Sequence, residues 1–598
     1  MNRLKFLDAR VDEAVHREAH QAGGARKVGG EAGCNWAYLS YDWGFPPEVE
    51  QEDWEDFRRA VQVYHGEGVR VFGYIQTSNC VYAGSYRDKD WYALDRSGRP
   101  FYYYTGRYMV CWLHPEWRAH LRAMVEGIVG AGADGVFFDN PWHGSQPFYF
   151  GRTWLGPAGC YCARCREAFM RESGEAIPAA VAPETDEASR RYLAWRAGIV
   201  TQTLTELAAH ARRLRPDVVV SVNNFDAVMR PSHLIYGIDL AALAGVQDVL
   251  MIEDYGLPRW DGVHLVNNAL TLRAARALGD TTPVSTNPYD KGIGLDGVYV
   301  ARRFQQGIAE AAACGAAMVV KGTEYVGPDG FTLLTAEPFG AQRDSIGHYN
   351  RWLRDHADMF AHRRNKAAVG LLHPGHRLWQ DWSLLAPLYF AAGQTLLVAG
   401  VPWRVVATPH QLDGVEVLLC VVPPPSDLPL RPGMRVIDVR SLAGWSGPPP
   451  SLLSRRPALR SAASGLVAAL YRSYFTHRLT RRVVDRFGLV HFFAQLPYYR
   501  VPASAQREAL LSALGPKPHP FVEAPAPVLV ELWQAGDTYQ LHLVNYADDR
   551  QQVRVEFGRS VTGETLSPGG TGQAVRGDRT VLDLDIYTVV VYRGAGET

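Results

Sequence analysis

Up to about residue 360 the chain alternates short, almost wholly apolar runs with longer amphipathic ones, the pattern of a β/α fold with a parallel sheet. Eight runs read as strands: 34–43, 69–77, 102–110, 134–140, 218–225, 248–255, 282–290 and 316–325. Eight is the strand number of a closed (β/α)8 TIM barrel, so the expected fold class is α/β, opening with such a barrel. The third run, YYYTGRYMV, is the weakest, and spacing alone leaves a doubly wound open sheet as an alternative. Between the fourth and fifth runs, Leu193, Ala197, Val200, Leu204, Leu207, Ala211 and Leu214 recur every three or four residues, which predicts a helix closed by Arg-Pro-Asp at 215–217.

Beyond residue 365 the texture changes. KAAVGLLHP, the helical SLLAPLYFAAGQTLLVAG, then PWRVV, VEVLLCVVPPP and MRVIDV predict a smaller α/β layer with its own sheet. From about residue 525 only strand-like runs remain, separated by Gly, Asp and Pro turns, as in a small β-sandwich. The expected division is a catalytic barrel over 1–362, an α/β domain over 363–522 and a C-terminal β-sandwich over 523–598. The glycine-rich GGARKVGGEAG at 23–33 lacks a preceding strand and a Gly-Lys-Ser/Thr ending, so it reads as a loop.

Charge narrows the partners. Lys and Arg together equal Asp and Glu, 62 of each, so nothing recruits nucleic acid or an anionic membrane surface. A small neutral partner fits that balance. The N-terminus is charged from the start and no segment reaches membrane-span length, so a cytoplasmic protein is expected.

In barrels of this kind, chemistry sits at the C-terminal ends of strands and in the loops after them. That rule selects Asp42 and Trp43, Gln76, Asp139 with Trp142 and His143, Asn223 and Asn224, Glu253, Asp254 and Tyr255, Asn287 and Asp290, and Lys321 and Glu324. Amides and carboxylates match sugar hydroxyls, and indole or phenol faces cover the C–H face of a pyranose. Glycoside hydrolysis needs two carboxyl groups. Asp139 and one of Glu253 or Asp254 supply them, from strands that are not neighbours and so face each other across the barrel mouth. The plain alternative is that Asp139, ahead of Asn-Pro, only caps its own turn.

Eight cysteines are too few for a disulfide scaffold, and three crowd into Cys160-Tyr-Cys162-Ala-Arg-Cys165. With Cys111 upstream they could hold one tetrahedral zinc; free thiols or a disulfide are the alternatives. Four thiolates would leave no open position for water, so such a zinc is structural. Cys34 and Cys314 read as core thiols, and Cys420 lacks the Gly-x-Cys-x-Gly elbow of an amidotransferase nucleophile. Nothing in the sequence requires an organic cofactor.

Cys111-Trp-Leu-His-Pro-Glu-Trp-Arg118 and the Cys160–Cys165 motif resemble the zinc-binding segments of the family 42 glycoside hydrolases, the β-galactosidase-type barrels. The resemblance implies a zinc site at Cys111, Cys160, Cys162 and Cys165. It also implies an amidotransferase-like α/β domain after the barrel, a small C-terminal β domain, and a homotrimer or other homo-oligomer. The catalytic residues do not carry over: Asp139-Asn140-Pro141 stands where that family has Asn-Glu, and TPVSTNPYD lacks its second glutamate.

VFFDNP instead resembles the strand ending in a nucleophilic aspartate of the retaining α-glycosidases of families 27, 31, 36 and 29. In the first three, the acid/base follows the sixth strand, where Glu253 and Asp254 stand here. Together with PWHG and CYC the pattern is similar to the group catalogued as hypothetical glycosyl hydrolase family 6. The expected activity is therefore that of a retaining exo-α-glycosidase, α-galactosidase- or α-fucosidase-like. Asp139 is the expected nucleophile and Asp254 or Glu253 the acid/base. Asp42, Trp43, Gln76, Trp142, His143, Asn224, Tyr255, Lys321 and Glu324 are the expected sugar contacts. An inverting or β-galactosidase-like enzyme, or a non-catalytic carbohydrate-binding protein on a decayed barrel, are the alternatives.

Overall fold

Seven parallel strands form the first sheet: β1 (Trp36–Asp42), β2 (Arg70–Gln76), β3 (Gly135–Asp139), β4 (Val219–Phe225), β5 (Val249–Asp254), β6 (Val284–Pro288) and β7 (Ala317–Met318), hydrogen-bonded in that order. The computed structural model describes residues 20–594 apart from 104–105, 145–148, 151–152, 155–158, 180, 226–227, 229–230, 255, 281, 289–299, 321, 328–329, 446–498 and 571. Trp36, Tyr38, Phe72, Tyr74, Phe137, Val219, Met251 and Val319 pack together on the inner face. Tyr38 of β1 reaches the neighbourhood of Ser221 on β4 and Ser285 on β6, so the sheet curls round an interior, as in a TIM barrel. The outer face packs on helices α1 (Pro47–Gly66), α2 (Pro115–Gly130) and α3 (Glu187–Leu214). Asp186 caps α3 through the amides of Ala188 and Ser189, and α3 contains the predicted helical stripe.

The expected third strand is not in this sheet. β2 pairs directly with β3, and Arg107–Met109 pairs antiparallel with Asn79–Val81 in a long excursion between β2 and α2. Its tyrosines pack on one another, Tyr82, Tyr92 and Tyr102 meeting Tyr108 or each other edge-on, instead of lining the sheet. The eighth run also divides: β7 holds only Ala317–Met318, and Thr323–Gly327 turns back in a hairpin with Gly330–Leu333. The segment read as a glycine loop is helical, Ala22–Arg26 continuing through a π-turn over Lys27–Glu31. Its glycines give close approach, since a Cβ on Gly29 would lie 2.7 Å from Val69 Cγ2.

The next sheet is a four-stranded parallel layer, Trp403–Val406, Val369–Leu372, Val417–Cys420 and Arg435–Asp438 in spatial order, packed on the apolar helix Trp382–Val398. The C-terminal strands make one antiparallel sheet. Its long strand Gln551–Leu566 is bulged between Glu556 and Val561; along one edge it pairs with Ala574–Leu584 on both sides of the bulge, and along the other with Phe521–Glu523 before it and Tyr587–Gly594 after it. The two halves thereby close on a shared core that includes Val530, Leu541, Val553, Val561 and Leu582, as in a sandwich.

Arg273, on the barrel helix α4 (Ala269–Gly279), ties the three parts together. Its Nε donates to Glu531 Oε1 at 2.5 Å and its guanidinium lies 3.9 Å from the Trp403 ring centroid. No helix among the described residues is long and apolar enough to cross a membrane.

Candidate active site

Side-chain alternation along the parallel strands decides which rim residues face inward. On β2, Phe72 and Tyr74 line the interior and Gln76 follows them. On β3 Phe137 precedes Asp139, and Gln76 sits directly beside Asp139 in register. On β5 the inward Met251 precedes Glu253. On β4, between the two, Asn223 lies opposite Met251.

These residues form one polar network. Asn223 Nδ2 donates to Asp139 Oδ1 at 2.6 Å and to Glu253 Oε2 at 2.7 Å, so one amide bridges both carboxyls. Asp139 Oδ2 accepts from the Tyr74 hydroxyl and, at 2.5 Å, from Asn140 Nδ2. Tyr74 also contacts Gln76 Oε1 at 2.5 Å, and Asn140 Nδ2 lies 3.2 Å from the same oxygen. Asn140 is one of the few non-glycine residues with positive φ, +48°, a conformation that asparagine tolerates and that turns its side chain back onto Asp139.

Asp139 is 8% exposed. Burial, and then the charge of Glu253, push its pKa up to about 6 against the pull of its hydrogen bonds from Tyr74 and Asn223. Two like charges so close disfavour double ionisation, which suits a pair that passes a proton during reaction.

The other rim candidates separate into distinct places. Trp43 is half-buried, with its ring 5.1 Å from that of Tyr74. Gln76 belongs to the network above. Asp42 is completely buried beneath the rim, accepting the Gly44 amide, because a bulge between Ser40 and Asp42 turns it away from the interior. Asn224, one residue out of phase with Asn223, points to the outer side, where it donates to Gln247 Oε1 and the Met251 carbonyl. His143 is fully buried with Nε2 3.6 Å from Cys165 Sγ, so it backs the cysteine cluster. Trp142 is covered, stacked on Tyr236 at 4.3 Å and meeting Tyr103 edge-on.

Tyr255, Asp290 and Lys321 lie outside the described residues, as do the side chains of Asp254, Asn287 and Glu324, although Asp254, Asn287 and Glu324 belong to described strands. Tyr74 and Asn140 escaped the strand-end rule. Tyr74 was findable, because it stands two residues before Gln76 and therefore on the same inward face.

Cys111, Cys160, Cys162 and Cys165 are buried with their sulfurs all within 4.8 Å of one another. Cys111 Sγ lies 3.6 Å from both Cys162 Sγ and Cys165 Sγ. A disulfide requires about 2.05 Å, whereas a tetrahedral zinc with bonds of about 2.3 Å spaces its sulfurs at about 3.8 Å. The donor set therefore fits a metal ion. Leu94 N–H points at Cys160 Sγ, 3.4 Å away, as a thiolate ligand would want. A Cβ on Gly144, whose φ is +69°, would lie 2.6 Å from Cys160 N, so the loop after β3 can approach the cluster only through glycine.

No known protein family matches the chain at the level of sequence, and no curated protein does. Solved structures do match in fold. They include a β-galactosidase from Bacillus circulans sp. alkalophilus, at 13% identity and TM-score 0.62 over 98% of this chain and 97% of that one. They also include α-L-fucosidase isoenzyme 2 from Paenibacillus thiaminolyticus, at 15% identity and TM-score 0.58 over 98% and 97%. An exo-carrageenase of family GH42 from Bacteroides ovatus matches at 12% identity and TM-score 0.54 over 94% and 80%. The likeness spans almost the whole chain, so the barrel, the α/β layer and the C-terminal β-sheet follow one another here as they do in these structures.

Proposed function

We propose that this protein is a retaining, exo-acting glycoside hydrolase whose carboxyl pair is Asp139 and Glu253, with an α-linked sugar as substrate. The observation that carries this reading is the single Asn223 amide shared by the two carboxyls. Both accepted bonds are 2.7 Å or shorter, so the two accepting oxygens lie close together, which supports the separation of about 5–5.5 Å used by retaining enzymes over the roughly 6.5–9.5 Å of inverting ones.

Asp139 attacks the anomeric carbon as a carboxylate while Glu253 protonates the departing glycosidic oxygen. Glu253 then takes a proton from water, whose oxygen displaces Asp139 and releases the free sugar. Tyr74, Asn140 and Asn223 hold Asp139 in position by donating to it. Trp43 offers a half-exposed face beside Tyr74 for the C–H side of the ring. Cys111, Cys160, Cys162 and Cys165 would hold a zinc ion that fastens the loops around this site and, with four thiolates on it, would leave no open position for the chemistry.

A panel of aryl α- and β-glycosides, with NMR of the first-formed anomer, tests the reading. Turnover of α-glycosides with release of the α-anomer is expected; release of the opposite anomer, or no turnover at all, would refute it. Hydrolysis of a β-glycoside is the second reading, favoured by the β-galactosidase among the fold relatives, and the same panel separates the two.

A further inference from the structure

The turn that carries Trp43 is held from below by two carboxyls that the reaction does not use. Asp42 and Glu50, the latter in the first turn of α1, are both 0% exposed. Asp42 Oδ1 accepts the Gly44 amide at 3.0 Å, and Glu50 Oε1 accepts those of Trp43 at 2.7 Å and Phe45 at 3.1 Å. Three successive amides thus end on this pair. Arg107 donates to the Trp43 carbonyl from the other side at 2.5 Å. Gly44, at φ +75°, lets the turn close, since a Cβ there would lie 2.7 Å from the Asn79 carbonyl oxygen.

The remaining oxygens, Asp42 Oδ2 and Glu50 Oε2, are buried and find no hydrogen-bond partner, and each carboxyl acts on the other's ionisation. Ionised carboxylates only accept, so these two orphan oxygens can satisfy each other only through a proton on one of the carboxyls. Burial and the Asp42 charge push Glu50 well above the usual carboxyl range. Burial acts upward on Asp42 too, but His120, whose Nε2 is 3.8 Å from Oδ2, together with Glu50 and the Gly44 amide, holds it below its usual value. The proton therefore belongs to Glu50. The other titratable groups around the pair are Tyr41 on β1, Cys80 and Arg107 in the excursion, Tyr86 in the turn Gly84–Tyr86, and Glu48 and Arg58 on α1.

We propose that Glu50, whose Oε1 receives the Trp43 and Phe45 amides beside buried Asp42, is a positioning residue that fixes Trp43 against Tyr74 and thereby sets the aromatic wall beside Asp139 on which the sugar ring packs. The sugar rests on the glycosidase reading; the proton and the turn do not.

The test labels the protein with 5-fluorotryptophan and assigns the Trp43 resonance by its loss in Trp43→Phe. In Glu50→Gln the amide oxygen still accepts from Trp43 and Phe45, and the amide N–H replaces the carboxyl proton toward Asp42. The resonance is expected to stay in place, with kcat/KM within about threefold of the parent. Glu50→Ala is expected to shift the resonance and to lower kcat/KM by about tenfold, chiefly through KM, because the sugar platform has moved. If Glu50→Gln shifts the resonance as Glu50→Ala does, or Glu50→Ala leaves it in place, the proposal is wrong. Should Glu50→Ala fail to fold, Glu50→Gln decides alone, because loss of a needed negative charge would move the resonance and depress kcat/KM. The resonance is read without substrate, so a parent that hydrolyses no glycoside overturns the proposed function and leaves this experiment standing.

Discussion

Asp139 answers to two neighbours at once, and its titration reports both. Burial and the Glu253 charge raise it to about 6. Because the attacking form is the carboxylate, kcat/KM on a dinitrophenyl glycoside is expected to rise with pH through about 6 and level off above it. Glu253→Gln removes the second cause of the shift. On a dinitrophenyl glycoside, whose leaving group needs no acid, the variant is expected to keep glycosylation while its acid limb moves below that of the parent. An unmoved limb in pre-steady-state rates would show that Glu253 does not act on Asp139.

Among elements, the loops on either side of β3 hold the site's surroundings in place. Cys111 comes from the excursion after β2, and Cys160, Cys162 and Cys165 from the segment after β3, so a bound metal would clip two loops that no strand pairing joins among the described residues. Arg196 of α3 adds bonds to the carbonyls of His143, Leu234 and Ile235. Elemental analysis is expected to find one zinc per chain. Cys162→Ala is expected to lose it and to lower Tm by several degrees; a parent without metal would point to four free thiols.

How far the sequence shows these elements depends on what shapes each one. Strands β1 to β6 are legible because burial on both faces writes near-continuous apolar runs. The excursion is not, because a short tyrosine-rich run suits an antiparallel hairpin as well as a barrel strand. Within the site, Asp139 and Glu253 stand out as strand-end carboxyls. The choice of Asn223 over Asn224 depends on which face of β4 turns inward, a phase that NNF does not reveal, and the bulge that buries Asp42 leaves no mark in SYDW.

At the scale of the whole molecule, the three sheets are joined by buried charge. Arg273 and Glu531 are almost wholly covered, and Asn365 Nδ2 also donates to Glu531 at 3.1 Å. Glu531→Ala would leave Arg273 uncompensated beneath the Trp403 ring, and is expected to destabilise the fold by about 3–5 kcal/mol in denaturant titrations; a loss near zero would mean that the junction is held by apolar packing alone. That junction keeps the barrel in one frame, but the function proposed for it rests on one pair of carboxyls. The direct measurement is to trap the glycosyl-enzyme with a fluorinated glycosyl fluoride of the preferred sugar and map the modified peptide by mass spectrometry. The account predicts one sugar per chain, ester-linked to Asp139. An active enzyme that carries the label on Glu253 or Asp254, or that forms no adduct, would contradict it.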